Sequence, residues 1–120
     1  MAVRAVRGAV QLDRDEREHM VESVQELVLA VLQSNGFELD DLISILFTST
    51  PDLHSEFPAT AARGIGLDDV PLVCAQELDI AGAMPRVIRL MAHVETDKSR
   101  AEIQHVYLRG AVALRRDLAQ

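Results

Sequence analysis

Four arginines lie within or at the ends of apolar segments, where a buried cation requires an anionic partner. They are Arg7, Arg63, Arg89 and Arg115. The planar guanidinium group binds a carboxylate through two parallel hydrogen bonds, so converging arginines would form a site for a small polyanion. The alternative is that each arginine pairs with an aspartate or glutamate of the protein itself. The spacing leaves both interpretations open.

The segment 70–91, VPLVCAQELDIAGAMPRVIRLM, places further polar residues inside or beside apolar runs. Arg89 needs an anionic partner, which is either a protein carboxylate or a ligand, and Glu77 and Tyr107 complete the set of polar candidates. Cys74 as a nucleophile would need a neighbouring base or a setting that favours the thiolate. The nearest ionisable group is Glu77, whose negative charge would disfavour a thiolate. A packing role is therefore favoured for Cys74.

Other catalytic arrangements find no support in the sequence. The four histidines are scattered, and no pair has the spacing of metal ligands. There is no phosphate-binding loop and no dinucleotide-binding glycine motif. His54 has no neighbour that would complete a catalytic set, and His19 is expected on the surface. We therefore expect no metal site.

Composition and charge indicate one small acidic domain. With 120 residues the chain has the size of a single domain, assigned to 1–120. The net charge of −7 argues against a nucleic-acid-binding protein, which would carry a basic patch. The single cysteine excludes an internal disulfide. No segment has the length of a signal peptide or a membrane span, so we expect a cytoplasmic protein without a membrane partner.

Apolar alternation predicts a first strand over 3–10, with Arg7 on the same face as Ala5 and Ala9. The conservative interpretation of Arg7 is an arginine on a solvated sheet face. Gly8 would admit a second backbone or a ligand close to the strand. A small single chain buries a modest share of its surface, so oligomerisation would stabilise it.

A long amphipathic helix is predicted over about 14–34, opening at a capping-box-like 13–16 and ending at Asn35 and Gly36. Its apolar stripe comprises Met20, Val24, Leu27, Val28 and Val31. Strands are predicted at 42–48, 70–74, 86–94 and 104–108, and short helices at 58–63 and near 96–103. An apolar segment at 110–114 precedes a polar tail over about 116–120, expected to be mobile unless it docks. Arg63, at the C-terminal end of its helix, has a helix-dipole cation as its alternative role.

This order predicts an α+β fold in which a mixed sheet of about five strands packs against one long helix. Four blocks of the sequence also resemble the monofunctional AroH-class chorismate mutases, the Bacillus-type trimeric enzymes. The blocks are VRAVRGAV at 3–10, TSTPDLHSEFPATAAR at 48–63, the segment 70–91, and HVYLRGAVALRRDL at 105–118. The resemblance covers nearly the full chain, with the blocks in the same order.

The resemblance implies a homotrimer in which the subunits form a pseudo-α/β-barrel, with active sites in clefts between neighbouring subunits. It implies the Claisen rearrangement of chorismate to prephenate, on the route to phenylalanine and tyrosine. It also implies that the enzyme uses no cofactor and no metal.

By the same resemblance, Arg89 places a cation against the ether oxygen of chorismate. Glu77 accepts the ring hydroxyl with Cys74 beside it, and Arg7 and Tyr107 hold the side-chain carboxylate. The remaining matches form the wall, entrance and mouth of the site, in part from a neighbouring subunit: Phe57, Ala59, Arg63, Val73, Leu114 and Arg115. Glu77 and Arg89 are then expected to be held apart, with chorismate between them.

Two positions depart from the pattern that this resemblance implies. Thr60 stands where a lysine is expected at the entrance of the site, and Arg116 stands where a proline is expected in the tail. Both bear on substrate affinity and on ordering of the tail rather than on the chemical centre.

Overall fold

Five strands and two α-helices make up the part of the chain that the computed structural model describes, residues 1–114. In chain order they are β1 (Ala2–Gln11), α1 (Arg17–Asn35), β2 (Leu42–Ser49), α2 (Pro58–Arg63), β3 (Leu72–Gln76), β4 (Val87–Thr96) and β5 (Val106–Leu108). Short 3₁₀ segments lie at Leu39–Asp41, Arg100–Glu102 and Arg109–Ala113, and the last is termed the C-terminal turn. Arg115 and the predicted tail fall outside the described residues.

The strands form one mixed sheet in the order β3-β2-β4-β1-β5. The central strand β4 runs antiparallel to both of its neighbours, β1 and β2. The edge strands β3 and β5 run parallel to β2 and β1. Since α1 covers one face of this sheet, the predicted α+β fold with about five strands against one long helix is confirmed.

Helix α1 packs through the predicted apolar stripe, whose five members are each at most 2 % exposed. The stripe meets strand residues such as Val6, Phe47 and Leu90, which alternate toward the helix. Gly8 makes this contact close, because a Cβ there would lie 3.2 Å from atoms of both Leu27 and Val31. On the helix side, the space beside Gly8 is therefore filled by side chains of α1.

The two ends of α1 differ from each other in how well the sequence predicts them. The C-terminal end is confirmed, with Gly36 in the left-handed region at φ 66°. The N-terminal capping box is wrong: the helix begins at Arg17, and Glu16 at the N-cap forms no side-chain cap. Asp15 instead accepts hydrogen bonds from the backbone N–H groups of His54 and Ser55, at 3.0 and 3.1 Å. Its carboxylate thus ties the helix start to the loop before α2.

Several predicted boundaries shift for identifiable reasons. β3 begins at Leu72 rather than at residue 70, since Pro71 has no N–H to donate to a sheet. The helix predicted near 96–103 is only the 3₁₀ turn Arg100–Glu102, because β4 continues to Thr96. The strand predicted from residue 104 begins at Val106, because the side chain of Asn35 binds both backbone groups of Gln104.

His19 is buried, at 7 % exposure, and its predicted surface position is wrong. Its Nε2 accepts a hydrogen bond from the backbone N–H of Asp13 at 2.9 Å. The carboxylate of Asp13 lies farther from the same nitrogen, at 4.0 Å, so acceptance from the amide is the dominant contact. A polar residue inside the first turn is therefore used to hold the chain that enters the helix.

The face of the sheet turned away from α1 is partly uncovered. Apolar side chains point from it toward solvent, including Val3 (59 % exposed), Leu46 (40 %), Val73 (62 %) and Met91 (38 %). The C-terminal turn covers only one end of this face, where Ala111 is fully buried with Ala9 and Val87. Of the polar candidates, Arg7, Arg89 and Tyr107 lie on this same face, beside the covered end.

Candidate active site

A cavity of about 370 Å³ opens on the uncovered sheet face. It is lined by Arg7, Gly8, Ala9, Leu46, Thr48, Arg89, Leu90, Met91, Tyr107 and Leu114. Four of the predicted site residues therefore share one cavity: Arg7, Arg89, Tyr107 and Leu114. Its volume falls within the range of small-molecule sites, about 300–1,000 Å³.

Strand register explains why these side chains meet. Thr48 pairs with Arg89, Arg89 pairs with Ala9, and Ala9 pairs with Tyr107, so the four form one row across the sheet. Directly opposed residues share a face because side chains alternate along each strand. The next row contains Arg7 opposite Met91, two positions away on the same face. Two arginines distant in sequence are thereby brought to one cavity wall.

Arg89 is held by Glu77 at the edge of this cavity. The Nε of Arg89 lies 3.0 Å from Oε2 and 3.2 Å from Oε1 of Glu77. The expectation that these two residues are held apart is therefore wrong for the structure described. Glu77 occupies only the Nε–H, which is one of the five N–H donors of a guanidinium group. The terminal nitrogens of Arg89 form no hydrogen bond within residues 1–114, and the side chain is 43 % exposed.

Thr48 is a site residue that sequence reasoning did not identify. Its hydroxyl donates to Oε2 of Glu77 at 2.6 Å, and the backbone N–H of Glu77 donates to the carbonyl of Ser49 at 2.9 Å. These contacts hold the carboxylate, which is 17 % exposed, against Arg89. The available signal was a threonine near the end of the mostly apolar strand β2, but only the pairing with β4 places it beside Arg89.

Arg7 is exposed, and its backbone N–H donates to Nδ1 of His105 at 3.0 Å. Burial, together with the positive charge of Arg7, holds the pKa of His105 below its usual value. His105 therefore stays neutral to a lower pH in the folded chain than in the unfolded chain. The interaction fixes the backbone of β1 where Arg7 enters the cavity.

Stability is expected to fall with pH below the ordinary histidine pKa of about 6.5. In that window the unfolded chain binds a proton that folded His105 disfavours, so protonation favours unfolding. Above about pH 6.5 this penalty is absent, and it is complete below the folded pKa. Urea unfolding of the wild type and of His105→Gln, at about pH 7.5 and about pH 5.5, checks this. The acid-induced loss should be smaller in the variant, and equal losses would contradict the assignment.

The other predicted site residues form a second group. Phe57 and Cys74 line a separate cavity of about 360 Å³, which shares no lining residue with the first. Phe57 is 68 % exposed, although it is a large apolar side chain. On α2, Ala59 is buried whereas Thr60 and Arg63 are exposed, and none of the three lines either cavity. Within one chain, the predicted residues do not converge on a single site.

Val73 and Cys74 face opposite sides of edge strand β3, as neighbours along a strand must. Val73 is opposite Leu46 on the uncovered face, and it also lines neither cavity. Cys74 is opposite Phe47 and packs partly against the main core. The packing interpretation of the cysteine is consistent with this position.

Two negative findings apply to residues 1–114. No group of three or more His, Cys, Asp or Glu side chains is arranged to hold a metal ion in that part of the chain. Among the helices described there, none combines the length and the apolar character needed to cross a membrane.

Comparison with known proteins points to one family. The family model described as chorismate mutase type I matches residues 3–118. A chorismate mutase AroH from Thermus thermophilus is 45 % identical over 97 % of this chain and 96 % of its own length. The corresponding protein of Bacillus subtilis (strain 168) is 38 % identical over 99 % of this chain and 94 % of its own length.

A solved structure of a chorismate mutase from Clostridium thermocellum superposes with a TM-score of 0.89 at 43 % identity. The match covers 91 % of this chain and 97 % of that one. Sequence and fold therefore agree over nearly the whole chain, and the resemblance of the four sequence blocks is confirmed. The chain belongs to the type I chorismate mutase family.

Proposed function

We propose that this chain is a chorismate mutase that converts chorismate to prephenate in the cavity lined by Arg7, Arg89 and Tyr107. One observation carries the proposal. The guanidinium of Arg89 is held along its Nε edge by Glu77 and has its terminal nitrogens free of partners within residues 1–114. A fixed cation with unused donors is what a reaction that develops negative charge on an oxygen requires.

The charges of the cavity suit a small dicarboxylate such as chorismate. Arg7 and Arg89 line one cavity in a chain whose net charge is −7, so positive charge is concentrated locally. Guanidinium groups bind carboxylates through paired hydrogen bonds, and the hydroxyl of Tyr107 can add a further donor. Leu46, Met91 and Leu114 supply apolar wall around these polar groups. A few convergent polar groups in an apolar wall are typical of small-molecule sites.

The rearrangement needs neither a nucleophile nor net proton transfer. The enzyme must hold a flexible dianion in its reactive diaxial shape, which is an orientation effect. It must also stabilise the negative charge that grows on the ether oxygen as the C–O bond breaks before the C–C bond is complete. The terminal N–H groups of Arg89 stabilise that charge. An acceleration of about 10⁶-fold requires about 8 kcal/mol, of which one preorganised donor supplies ~2.7–4 kcal/mol.

Glu77 has two roles in this proposal. Its carboxylate orients Arg89, and its remaining lone pairs can accept the ring hydroxyl of the substrate. The contact between the two residues does not cancel the catalytic cation, since a carboxylate at Nε leaves the terminal N–H groups unoccupied. Glu77 also places negative charge near the ring, where positive charge develops.

We further propose that the complete site lies between subunits of a homotrimer. The support is the separation of the predicted residues into two cavities on one chain, together with exposed apolar side chains at Phe57 and Val73. Phe57, Thr60 and Arg63 of one subunit, which are exposed, would close the cavity of its neighbour, whereas Ala59 is buried in the chain that carries it. Light scattering should give a trimer. A monomer that retains full turnover would contradict the shared site.

The direct test of function is the loss of chorismate absorbance after the protein is added, with prephenate identified as the product. Saturable binding of a bicyclic transition-state mimic without turnover would instead indicate a non-catalytic carboxylate-binding protein of the same architecture. Absence of both turnover and binding would indicate a structural oligomer whose arginines pair with carboxylates across subunits. Either result would overturn the proposed reaction.

Arg7→Ala is expected to raise KM by about tenfold and to raise it more than Arg115→Ala does. Arg7 lines the cavity beside Arg89, and loss of one charged hydrogen-bonding group costs about 1.5–3 kcal/mol. Arg115 is assigned to the mouth of the site by resemblance alone, where a solvated charge contributes less. Steady-state kinetics of the two variants check the order. A larger effect at Arg115 would show that the residues inside the cavity and at its mouth are assigned wrongly.

A further inference from the structure

The C-terminal turn, Arg109–Ala113, leads directly into Leu114, a wall residue of the cavity. Arg109 has φ 54°, in the left-handed region that residues with a Cβ disfavour. A non-glycine residue keeps that conformation only when surrounding contacts hold it. The contacts that hold Arg109 therefore bear on where Leu114 lies.

The side chain of Arg109 reaches α1 and binds it at Ser23 and Glu26. One terminal nitrogen donates to Oγ of Ser23 at 2.9 Å, and the other donates to Oε2 of Glu26 at 2.9 Å. The first nitrogen also lies 3.4 Å from Nε2 of His19, at the limit of a hydrogen bond. These acceptors stand within two turns of one helix, so the planar fork of the guanidinium can engage them together.

Two of these three acceptors are buried polar groups. Ser23 is 0 % exposed and His19 is 7 % exposed. Buried hydroxyl and imidazole groups require hydrogen-bonding partners, and Arg109 supplies one for Ser23. Glu26 at the rim provides the compensating charge, so the arginine is partnered on both of its terminal nitrogens. Arg109 therefore makes a partly buried contact with defined partners and is not a freely solvated ion pair.

A second anchor lies on the other side of the turn. A Cβ at Gly110 would lie 2.8 Å from Cδ of Gln11, whose amide in turn donates to the carbonyl of Pro85 at 3.1 Å. Ala111 follows with no exposed surface, packed with Ala9 and Val87, and Leu114 packs against this small cluster. The turn is thus held to α1 through Arg109 and to the sheet through Ala111.

We propose that Arg109 is a positioning residue for the proposed reaction. By fixing the C-terminal turn to α1, it holds Leu114 against the cavity that also contains Arg7, Arg89 and Tyr107. In this proposal Arg109 contacts none of the reacting atoms, and it acts only by holding Leu114 in the cavity wall. The inference rests on the proposed function, because substrate binding is the property that a displaced wall would weaken.

The test uses Arg109→Gly in the full-length chain. Glycine adopts a positive φ without strain, so the variant removes the guanidinium and leaves the backbone conformation accessible. We expect KM for chorismate to rise about fivefold, with kcat within about twofold of the wild type, as for loss of a charged hydrogen-bonding contact. Arg109→Lys should recover only part of the affinity, because an ammonium cannot engage Ser23 and Glu26 as a fork does. Arg14→Ala, which removes an exposed arginine paired with Glu16, is the matched control and should leave both constants unchanged.

A readout that does not depend on turnover is hydrogen exchange of the peptide that covers 107–114. Exchange should accelerate in Arg109→Gly and stay unchanged in the control. A KM and an exchange rate equal to those of an active wild type would overturn the positioning role and leave the proposed function intact. An inactive wild type would instead overturn the proposed function. If Arg109→Gly fails to fold, Glu26→Gln tests the same contact, with a KM increase of about twofold expected and no increase contradicting the proposal.

Discussion

Arg89→Ala is expected to lower kcat by at least about 10²-fold, because it removes a preorganised donor from the position where negative charge develops. KM should change less than kcat, since the interaction is made mainly in the transition state. The structure adds a reason to expect a full effect. Glu77, itself held by the hydroxyl of Thr48, binds the Nε of Arg89, so no reorganisation is needed when the charge forms. Steady-state turnover of chorismate is the measurement.

Arg89→Lys is expected to fail nearly as badly as the alanine variant. A lysine ammonium is a point charge on a flexible stem, and it cannot bind Glu77 with one edge while presenting two terminal nitrogens to the substrate. Arg14→Ala is again the matched control, since Arg14 is exposed and lies outside the cavity. Near-wild-type turnover in either Arg89 variant would remove charge stabilisation from the proposed mechanism.

Glu77→Gln is expected to lower kcat by about 10- to 100-fold, corresponding to the ~1.5–3 kcal/mol of a hydrogen bond to a charged group. The amide keeps the shape of the side chain and can still accept from Thr48, but it loses the charge that attracts Nε of Arg89. The guanidinium then has no fixed edge, and its terminal nitrogens lose their orientation. Circular dichroism and thermal unfolding should show that the fold is retained.

The double variant Arg89→Ala with Glu77→Gln separates the two roles of Glu77. If the glutamate acts only through Arg89, the double variant should be no slower than Arg89→Ala alone. If it also binds the ring hydroxyl, the second substitution should lower activity further. Full turnover in Glu77→Gln itself would contradict both roles.

Local sequence patterns were sufficient to predict the helix and the strand faces that position the site. Period-3.6 patterning identified α1 and five of its buried residues, and alternation placed Arg7 on the same face of β1 as Ala9. These predictions succeeded because local backbone geometry fixes which side chains share a face. The resemblance of four sequence blocks also identified the family, which the comparisons confirm.

Contacts between residues far apart in the chain could not be predicted from local sequence patterns. The pairing of Thr48 with Arg89 depends on the register between β2 and β4, and a shift of one residue would turn Thr48 to the other face. His19 has the local pattern of a surface residue, yet the chain at Asp13 folds back over it. The expected separation of Glu77 and Arg89 is wrong because β3, β2 and β4 are consecutive strands of the sheet. Glu77, which follows β3, therefore lies within reach of Arg89 on β4.

The sequence by itself determined which side chains share a face on each strand and on α1, because the dihedral geometry of one segment sets those directions. It also determined the charge pattern and the family. Only the tertiary structure decided which faces meet: strand order and register brought Arg7, Arg89 and Tyr107 to one cavity and left Phe57 and Cys74 at another. Register here depends on how segments far apart in the chain pack together, so the pattern of one strand alone does not fix its partner.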